Sequence, residues 1–215
     1  MDKVIRTVIH SSGWGLGTLD SALLSHTKCR RSISSAALWF VVLLCFYAIA
    51  SLAQQVHPTE SQVKAAYLFN FGKFVQWPID HGASGDSFEL CVLGQDPFGP
   101  VLDATVAGES IGARKIAVVR ISKLSEAAPC NVLYISGSEG SRLGQILEAA
   151  RHSGALTVSD IPHFVDHGGI IGFVKQQDRI RFEVNRGAAE DSHLTLSSEL
   201  LKVAFRVVNK ASAQE

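Results

Sequence analysis

The sequence predicts an α/β fold: a mostly parallel sheet with helices on both faces, a Rossmann-like three-layer sandwich that ends in an antiparallel hairpin and a C-terminal helix. Three observations support this prediction. Apolar runs of strand length alternate with helical patterns along the chain, as in parallel sheets covered on both faces. The run 180–184 alternates strictly between apolar and polar residues, as a strand with one exposed face does. Residues 176–179 fit a hairpin loop between this run and the apolar run 170–174.

The first 53 residues are predicted to be a signal peptide and not part of the fold. Basic residues at positions 28–31 precede the uncharged run 36–50, and residues 51–53 (Ser-Leu-Ala) fit a signal-peptidase site before Gln54. The run is shorter than the roughly 20 residues that cross a bilayer comfortably, although an uncleaved N-terminal anchor is the alternative. The long region before position 28 suggests a true start further in, near positions 23–24.

Residues 54–215 are predicted to form one domain. A chain of this length buries about 70% of its unfolded surface without needing a metal or disulfides. It carries 15 Lys and Arg residues against 18 Asp and Glu residues, and no basic tract in it exceeds two residues. Nucleic-acid binding is therefore not expected.

The domain is predicted to open with a strongly apolar helix. Thr59 and Gln62 have the spacing of a capping box, and Trp77-Pro78 is expected to end the helix. The face at helical spacing consists of Val63, Ala66, Tyr67, Asn70, Phe71 and Phe74. Further apolar residues lie on the other faces, so the helix is either deeply buried or shared with a partner.

Strands and helices then alternate. Strands are predicted at 88–94, 115–121, 130–136 and 155–158, and helices at 99–106 and 142–152. Asp96 and Pro97 are predicted to start the first of these helices, and a capping box of Ser136 and Glu139 the second. Ser197 or Ser198 is predicted to cap the last helix. The core-facing residues of that helix are expected to be Leu200, Leu201, Ala204, Phe205 and Val208.

Two cysteines, Cys91 and Cys130, lie in the mature domain, each in an apolar strand. In an oxidising periplasm they can pair, and closing this 39-residue separation would stabilise the fold by about 4 kcal/mol in the chain-entropy model. The alternative is that they are two separate buried thiols that pack as small apolar side chains.

The sequence offers little evidence of catalysis or of a cofactor. The loop 94–99 lacks the glycine spacing of a dinucleotide site and the Lys-Ser/Thr of a P-loop, and no Gly-x-Ser-x-Gly motif is present. His163 and His167, with Asp160, are weak candidates for metal ligands. Because Pro162 precedes them and two glycines follow, they are better explained as polar residues of a short turn. We therefore predict neither an enzyme nor a bound cofactor.

Several blocks of the chain resemble the YfiR family of small exported bacterial proteins. They are residues 63–78 (VKAAYLFNFGKFVQWP), 88–99 (FELCVLGQDPFG), 130–136 (CNVLYIS), 156–185 (LTVSDIPHFVDHGGIIGFVKQQDRIRFEVN) and 196–204 (LSSELLKVA). Together they cover almost all of the mature domain in the expected order.

The resemblance implies a function in signalling. The best-understood members of the family are dimeric periplasmic repressors of a membrane-bound diguanylate cyclase, and they lower cyclic-di-GMP and biofilm formation. These members respond to redox state through cysteines. Cys91 and Cys130 look like one of the family's cysteine pairs, but no cysteine follows Cys130. A switch that uses two disulfides is therefore not available to this chain.

The working hypothesis is a periplasmic regulatory protein that acts by binding. Its expected partner is a membrane-bound diguanylate cyclase or a similar signalling protein, and it is expected to be a homodimer. Aromatic residues are favoured at interfaces. The predicted contact residues are Tyr67, Phe71, Phe74, Trp77 and Phe164. The alternative is a periplasmic small-molecule-binding protein with no cyclase partner, which would use a crevice at the carboxyl ends of the strands.

Overall fold

The computed structural model describes residues 39–40, 58–77, 87–127, 129–151 and 153–209. The predicted signal peptide and its cleavage site lie outside the described residues, except for Trp39 and Phe40. Within these ranges, no helix combines the length and the apolar character needed to cross a membrane.

Five helices and ten strands make up the described part of residues 58–209. The helices are α1 (Glu60–Phe74), α2 (Pro100–Val106), α3 (Leu143–Ala150), α4 (Arg186–Asp191) and α5 (Ser198–Val203). The strands are β1 (Val75–Gln76), β2 (Ser87–Leu93), β3 (Ser110–Ile111), β4 (Arg114–Ile121), β5 (Val132–Ile135), β6 (Leu156–Ser159), β7 (Ile171–Gln176), β8 (Arg179–Asn185), β9 (Thr195–Leu196) and β10 (Arg206–Val208). Short 3-10 turns lie at Leu124–Glu126 and Gly137–Arg142.

The predicted α/β fold is confirmed. Eight strands form one sheet in the order β10-β8-β7-β6-β5-β2-β4-β3. Its pairs are parallel except for β7 with β8 and β3 with β4, which are antiparallel. A separate small sheet pairs β1 with β9.

Successive residues of the central strands supply two apolar layers, because their side chains point to opposite faces of the sheet. On β2, Leu90 and Val92 join the layer that also contains residues of α1, α2, α4 and α5. Cys91 and Leu93 join the layer against α3. Helices therefore cover both faces, and the strands are apolar on both sides.

The capping box of α1 is confirmed. The Gln62 amide donates to Thr59 Oγ1 over 3.3 Å, and the Thr59 amide donates to Gln62 Oε1 over 2.8 Å. The predicted buried face is only partly right. Besides Phe71, the structure buries Ala65 and Leu68, whereas Phe74 is 40% exposed. The helix also ends earlier than predicted, at Phe74, because the next two residues pair with β9.

The predicted starts of the next two helices need correction. Gly99 occupies the N-cap of α2, and Pro100 is its first residue. The Asp96 carboxylate instead accepts from the Phe98 amide at 2.7 Å and from Arg120 Nε at 3.0 Å. Ser136 caps the 3-10 turn that precedes α3, so α3 itself begins only at Leu143.

The C-terminal hairpin is tighter than predicted. Gln176 pairs with Arg179, which leaves a loop of two residues, Gln177 and Asp178. Their φ angles are +49° and +58°, the conformation of a type I′ turn.

The end of the chain differs most from the prediction. Ser197 caps α5, as predicted, and Leu200 is buried. The helix ends at Val203, however, and the residues after it form β10, which lies parallel to β8. Phe205 and Val208 were therefore wrongly assigned to a helix face.

Candidate functional site

An aromatic cluster joins α1 to the C-terminal hairpin. The Phe71 ring lies 5.1 Å from that of Phe182 and 5.9 Å from that of Phe173, measured between centroids. The Tyr67 ring lies 5.4 Å from that of Phe182. Such contacts add to the burial of apolar surface, so this cluster belongs to the core.

Two of the predicted partner-binding residues lie in the core, and partner contact through them stays a prediction. Phe71 and Phe164 are each 1% exposed, so neither offers surface to a partner. Phe164 packs over Gly169 so closely that a Cβ at position 169 would collide with its ring. Tyr67 and Trp77 are half-buried, and Trp77 Nε1 donates to the Asn131 carbonyl over 3.3 Å. Of the predicted set, Phe74 presents the most surface.

A second exposed apolar surface was missed by the sequence analysis. It consists of Val203, Phe205 and Val207, which are 59%, 49% and 42% exposed, and we call it the edge strip. It lies at the end of the large sheet, along and just before β10. In the structure, exposed and half-buried residues alternate from 203 to 208, as they do along a strand. In the sequence, the spacing of the apolar residues suggested a helix instead.

The residues proposed as weak metal ligands do not come together. The His163 side chain is exposed, and its Nδ1 lies 3.7 Å from Asp166 Oδ2. Asp166 also binds Arg206, whereas Asp160 binds Lys64. Among the residues that the structure describes, no group of three or more His, Cys, Asp or Glu side chains is placed to hold a metal ion.

Lys64 is the most buried charged side chain in this region, with 9% of it exposed. Its Nζ lies 2.7 Å from Asp160 Oδ2 and 2.5 Å from Glu60 Oε1. Burial acts to lower the pKa of Lys64, but the hydrogen bonds to Asp160 and Glu60 outweigh it, and the pKa is raised above its usual value. The cluster ties the first turns of α1 to the residue after β6.

Replacing Lys64 by methionine is expected to lower the free energy of unfolding by about 1–3 kcal/mol at pH 7, because it leaves Asp160 without its cation. The range lies below that of a fully buried pair, since water reaches part of Asp160. Because the pKa of Lys64 is higher in the folded protein than in the unfolded chain, its ion pairs contribute their full stability below the unfolded pKa of about 10.4. This contribution is lost as the pH rises through the folded pKa. The deficit of the variant should therefore shrink above about pH 10.4.

Urea denaturation at pH 7 and pH 11 measures both effects. The matched control is Lys175→Met, which removes an exposed lysine that faces Asp178. Equal losses for the two variants at pH 7 would contradict the role given to Lys64.

The ends of the central strands are filled by side chains. Gly94 follows β2 with φ +88°, and a Cβ there would collide with Ser138 and Glu139. The Gln95 amide donates to Ser138 Oγ over 3.0 Å. Near the end of β6, a cavity of about 160 Å³ is lined by Lys64, Asp160 and Phe173, among others. Ligand pockets usually measure about 300–1,000 Å³. Small-molecule binding here stays a prediction.

Tyr134 is a buried polar group near Asp160. Its ring stacks edge-on against Phe98, with centroids 4.8 Å apart. Burial raises the pKa of Tyr134, and the nearby Asp160 carboxylate raises it further. The hydroxyl makes no hydrogen bond of good geometry to any described residue. The phenol is therefore neutral at physiological pH.

Cys91 and Cys130 form a disulfide, with Cα atoms 5.8 Å apart. Both are fully buried in the layer against α3. The bond joins the middle of β2 to the segment just before β5, and these two strands are neighbours in the sheet. The sequence left open whether these cysteines are bonded or are two separate thiols, and the structure shows the disulfide.

The profile of the YfiR/HmsC-like family matches residues 61–205, which include all five helices apart from the first residue of α1 and every strand except β10. The chain belongs to the YfiR/HmsC-like family. The family is a regulatory one, associated with the periplasmic control of diguanylate cyclases.

Two solved structures are similar to this YfiR/HmsC-like chain at low sequence identity. A conserved domain protein from Vibrio cholerae O1 biovar El Tor is 12% identical, with a TM-score of 0.48 over 69% of this chain and 60% of that one. The ABC domain in complex with L-Trp from Streptococcus pneumoniae is 10% identical, with a TM-score of 0.46 over 67% of this chain and 60% of that one. The chain thus spans about 60% of the length of either. No curated protein matches it.

Proposed function

We propose that this YfiR/HmsC-like protein is exported to the periplasm and represses a membrane-bound diguanylate cyclase by binding its periplasmic sensor region. In this proposal it acts as a homodimer and lowers cyclic-di-GMP. The observation that carries the proposal is the family match over residues 61–205. The Cys91–Cys130 disulfide supports export, because such bonds persist in oxidising compartments.

A repressor that catalyses no reaction can act only if it binds two states of its partner with different free energies. A regulator that binds the inactive state of the cyclase more tightly than the active state shifts the cyclase towards the inactive state. A preference of about 1.4 kcal/mol changes the ratio of the two states tenfold. A small number of aromatic contacts can supply such a difference.

The proposed contact surface is the C-terminal end of α1. Phe74 is exposed there, and Tyr67 and Trp77 are half-buried on either side of it in the sequence. Lys73 Nζ lies 3.8 Å from the centroid of the Phe69 ring, so a cation and a second aromatic ring accompany Phe74. Aromatic side chains are enriched at protein interfaces relative to the rest of the surface.

Replacing Phe74 by aspartate is expected to weaken binding to the cyclase about tenfold or more, because it puts a charge where an apolar contact forms. The measurements are the cyclic-di-GMP level of cells that carry the variant and the yield of cyclase cross-linked to it. Phe74→Leu is the matched control, since it keeps an apolar side chain and should keep repression. A deletion strain with unchanged cyclic-di-GMP, with no cyclase recovered by cross-linking, would refute the proposed function.

A further inference from the structure

The hairpin of β7 and β8 projects past the end of the neighbouring strand β6. β6 ends at Ser159, and its last pair in the sheet joins Ser159 to Gly172 of β7. Residues 173–176 therefore have β8 on one side and, within the described ranges, no strand on the other. An open edge of this kind is a template for pairing with another chain.

The backbone groups of Lys175 point to this open side. The Asn185 amide donates to the Ile170 carbonyl over 2.8 Å, so these two residues form a hydrogen-bonded pair of the antiparallel hairpin. Because such pairs alternate with non-hydrogen-bonded ones, the even-numbered residues of β7 direct their N–H and C=O to β8. Lys175 lies between two of them and directs both groups away from β8. The edge thus offers a donor and an acceptor to an added strand.

One face of the hairpin carries two arginines that are free to bind. The Phe182 ring packs on α1, so Arg179 and Arg181 lie on the opposite face of the sheet. Both are exposed, and neither guanidinium has an ion-pair partner among the residues that the structure describes. The next carboxylate along β8, that of Glu183, is bonded to Arg206. A domain with more acidic than basic residues thus presents a local positive surface here.

The cavity of about 160 Å³ lies on the α1 face of the same edge. Its lining includes Phe173, Lys175 and Ile180 of the hairpin, together with Lys64 and Asp160. It is smaller than the roughly 300–1,000 Å³ of a typical ligand pocket. Successive side chains of an added strand point to opposite faces of the sheet. One of them would therefore enter the cavity while its neighbours lie on the face with the arginines.

We propose that the open edge of β7 at Lys175 binds an extended acidic segment of a protein partner, which joins the sheet as a strand. The inference rests on the proposed function, in which the periplasmic sensor region of the cyclase supplies this segment. Carboxylates at alternate positions of the segment pair with Arg179 and Arg181, because a guanidinium binds a carboxylate through two parallel hydrogen bonds. β7 separates the added strand from β8 by about 10 Å, which an arginine and a glutamate side chain span together.

Peptide selection tests the chemistry of the segment. The purified full chain is the target, and the probe is a library of random seven-residue peptides displayed on phage. We expect the enriched sequences to carry Asp or Glu at alternate positions. No enrichment, or enrichment of sequences without acidic residues, would overturn the proposal.

Charge variants test the position of the site, with the affinity of one enriched peptide measured by fluorescence anisotropy. Arg181→Glu should lower this affinity about tenfold or more, because it replaces attraction by repulsion at the contact. The matched control is Lys115→Glu, which makes the same change of charge at an exposed residue of β4. It should lower the affinity less than about twofold, since salt screens distant charges. Equal losses for the two variants would show attraction without a site and overturn the proposal.

Lys175→Pro tests the addition of a strand. Proline removes the outward N–H and is tolerated on an edge strand when that group bonds to no neighbour, and a urea curve checks the fold. Lys175→Ala also removes the charge but keeps the N–H, so it should bind the peptide about fivefold or more tightly than Lys175→Pro. Equal affinities would overturn strand addition, and Arg181→Glu decides the matter if proline unfolds the hairpin. Peptide binding at this site together with unchanged cyclic-di-GMP in a deletion strain would refute the proposed function alone.

Discussion

Replacing both Cys91 and Cys130 by alanine is expected to lower the free energy of unfolding by about 4 kcal/mol. The bond closes a 39-residue separation, and in the chain-entropy model its main effect is to restrict the unfolded chain. Both sulfurs also fill space in a dry layer between the sheet and α3, so their loss removes packing contacts as well. Urea denaturation at equilibrium gives the value from the midpoint and slope.

Reduction provides the control for this experiment. Wild-type protein in excess dithiothreitol should approach the stability of the double variant, whereas the double variant should not respond to the reductant. A loss below about 1 kcal/mol would mean that the bond contributes little beyond ordinary packing.

Replacing Phe71 by alanine is expected to cost about 3–5 kcal/mol of folding stability, the usual range for a large buried aromatic residue. Its ring is packed between Phe173 and Phe182 and contacts Tyr67 on its own helix. Removing it opens a cavity where α1 meets the hairpin of β7 and β8. Thermal or urea unfolding measures the loss.

The same helix supplies a matched control. Phe74→Ala removes the same ring three residues further on, where it is 40% exposed, and should cost less than about 1 kcal/mol. Similar losses for the two variants would contradict the assignment of Phe71 to the core and of Phe74 to the surface.

Local patterns in the sequence were sufficient for the central strands, the existence of the hairpin and the starts of α1 and α5. Thr59 and Gln62 could be predicted to bond each other because both partners lie within one turn of helix. The pairing of Cys91 with Cys130 could not be decided in the same way. It depends on β2 and β5 being neighbours, and β4, which lies between them in the sequence, is placed on the other side of β2.

The candidate site was less predictable than the fold. On α1, apolar residues occupy nearly every face, so spacing alone could not separate buried Phe71 from exposed Phe74. Residues 200–208 have helical spacing, but pairing with β8 ends the helix and turns Phe205 outward. That outcome is decided by a strand some twenty residues away, which no local pattern records.

The contacts of α1 also constrain how the polypeptide acquires its structure. This helix comes first in the domain, yet Lys64 binds Asp160 and Phe71 packs on Phe173 and Phe182, about a hundred residues later. If the chain is synthesised or exported from its N-terminus, these contacts can form only after the residues of the hairpin have also become available. Contacts between residues so far apart in the sequence slow folding. Until these contacts form, the aromatic side chains of α1 stay exposed to solvent. Holdase chaperones would find their binding site there.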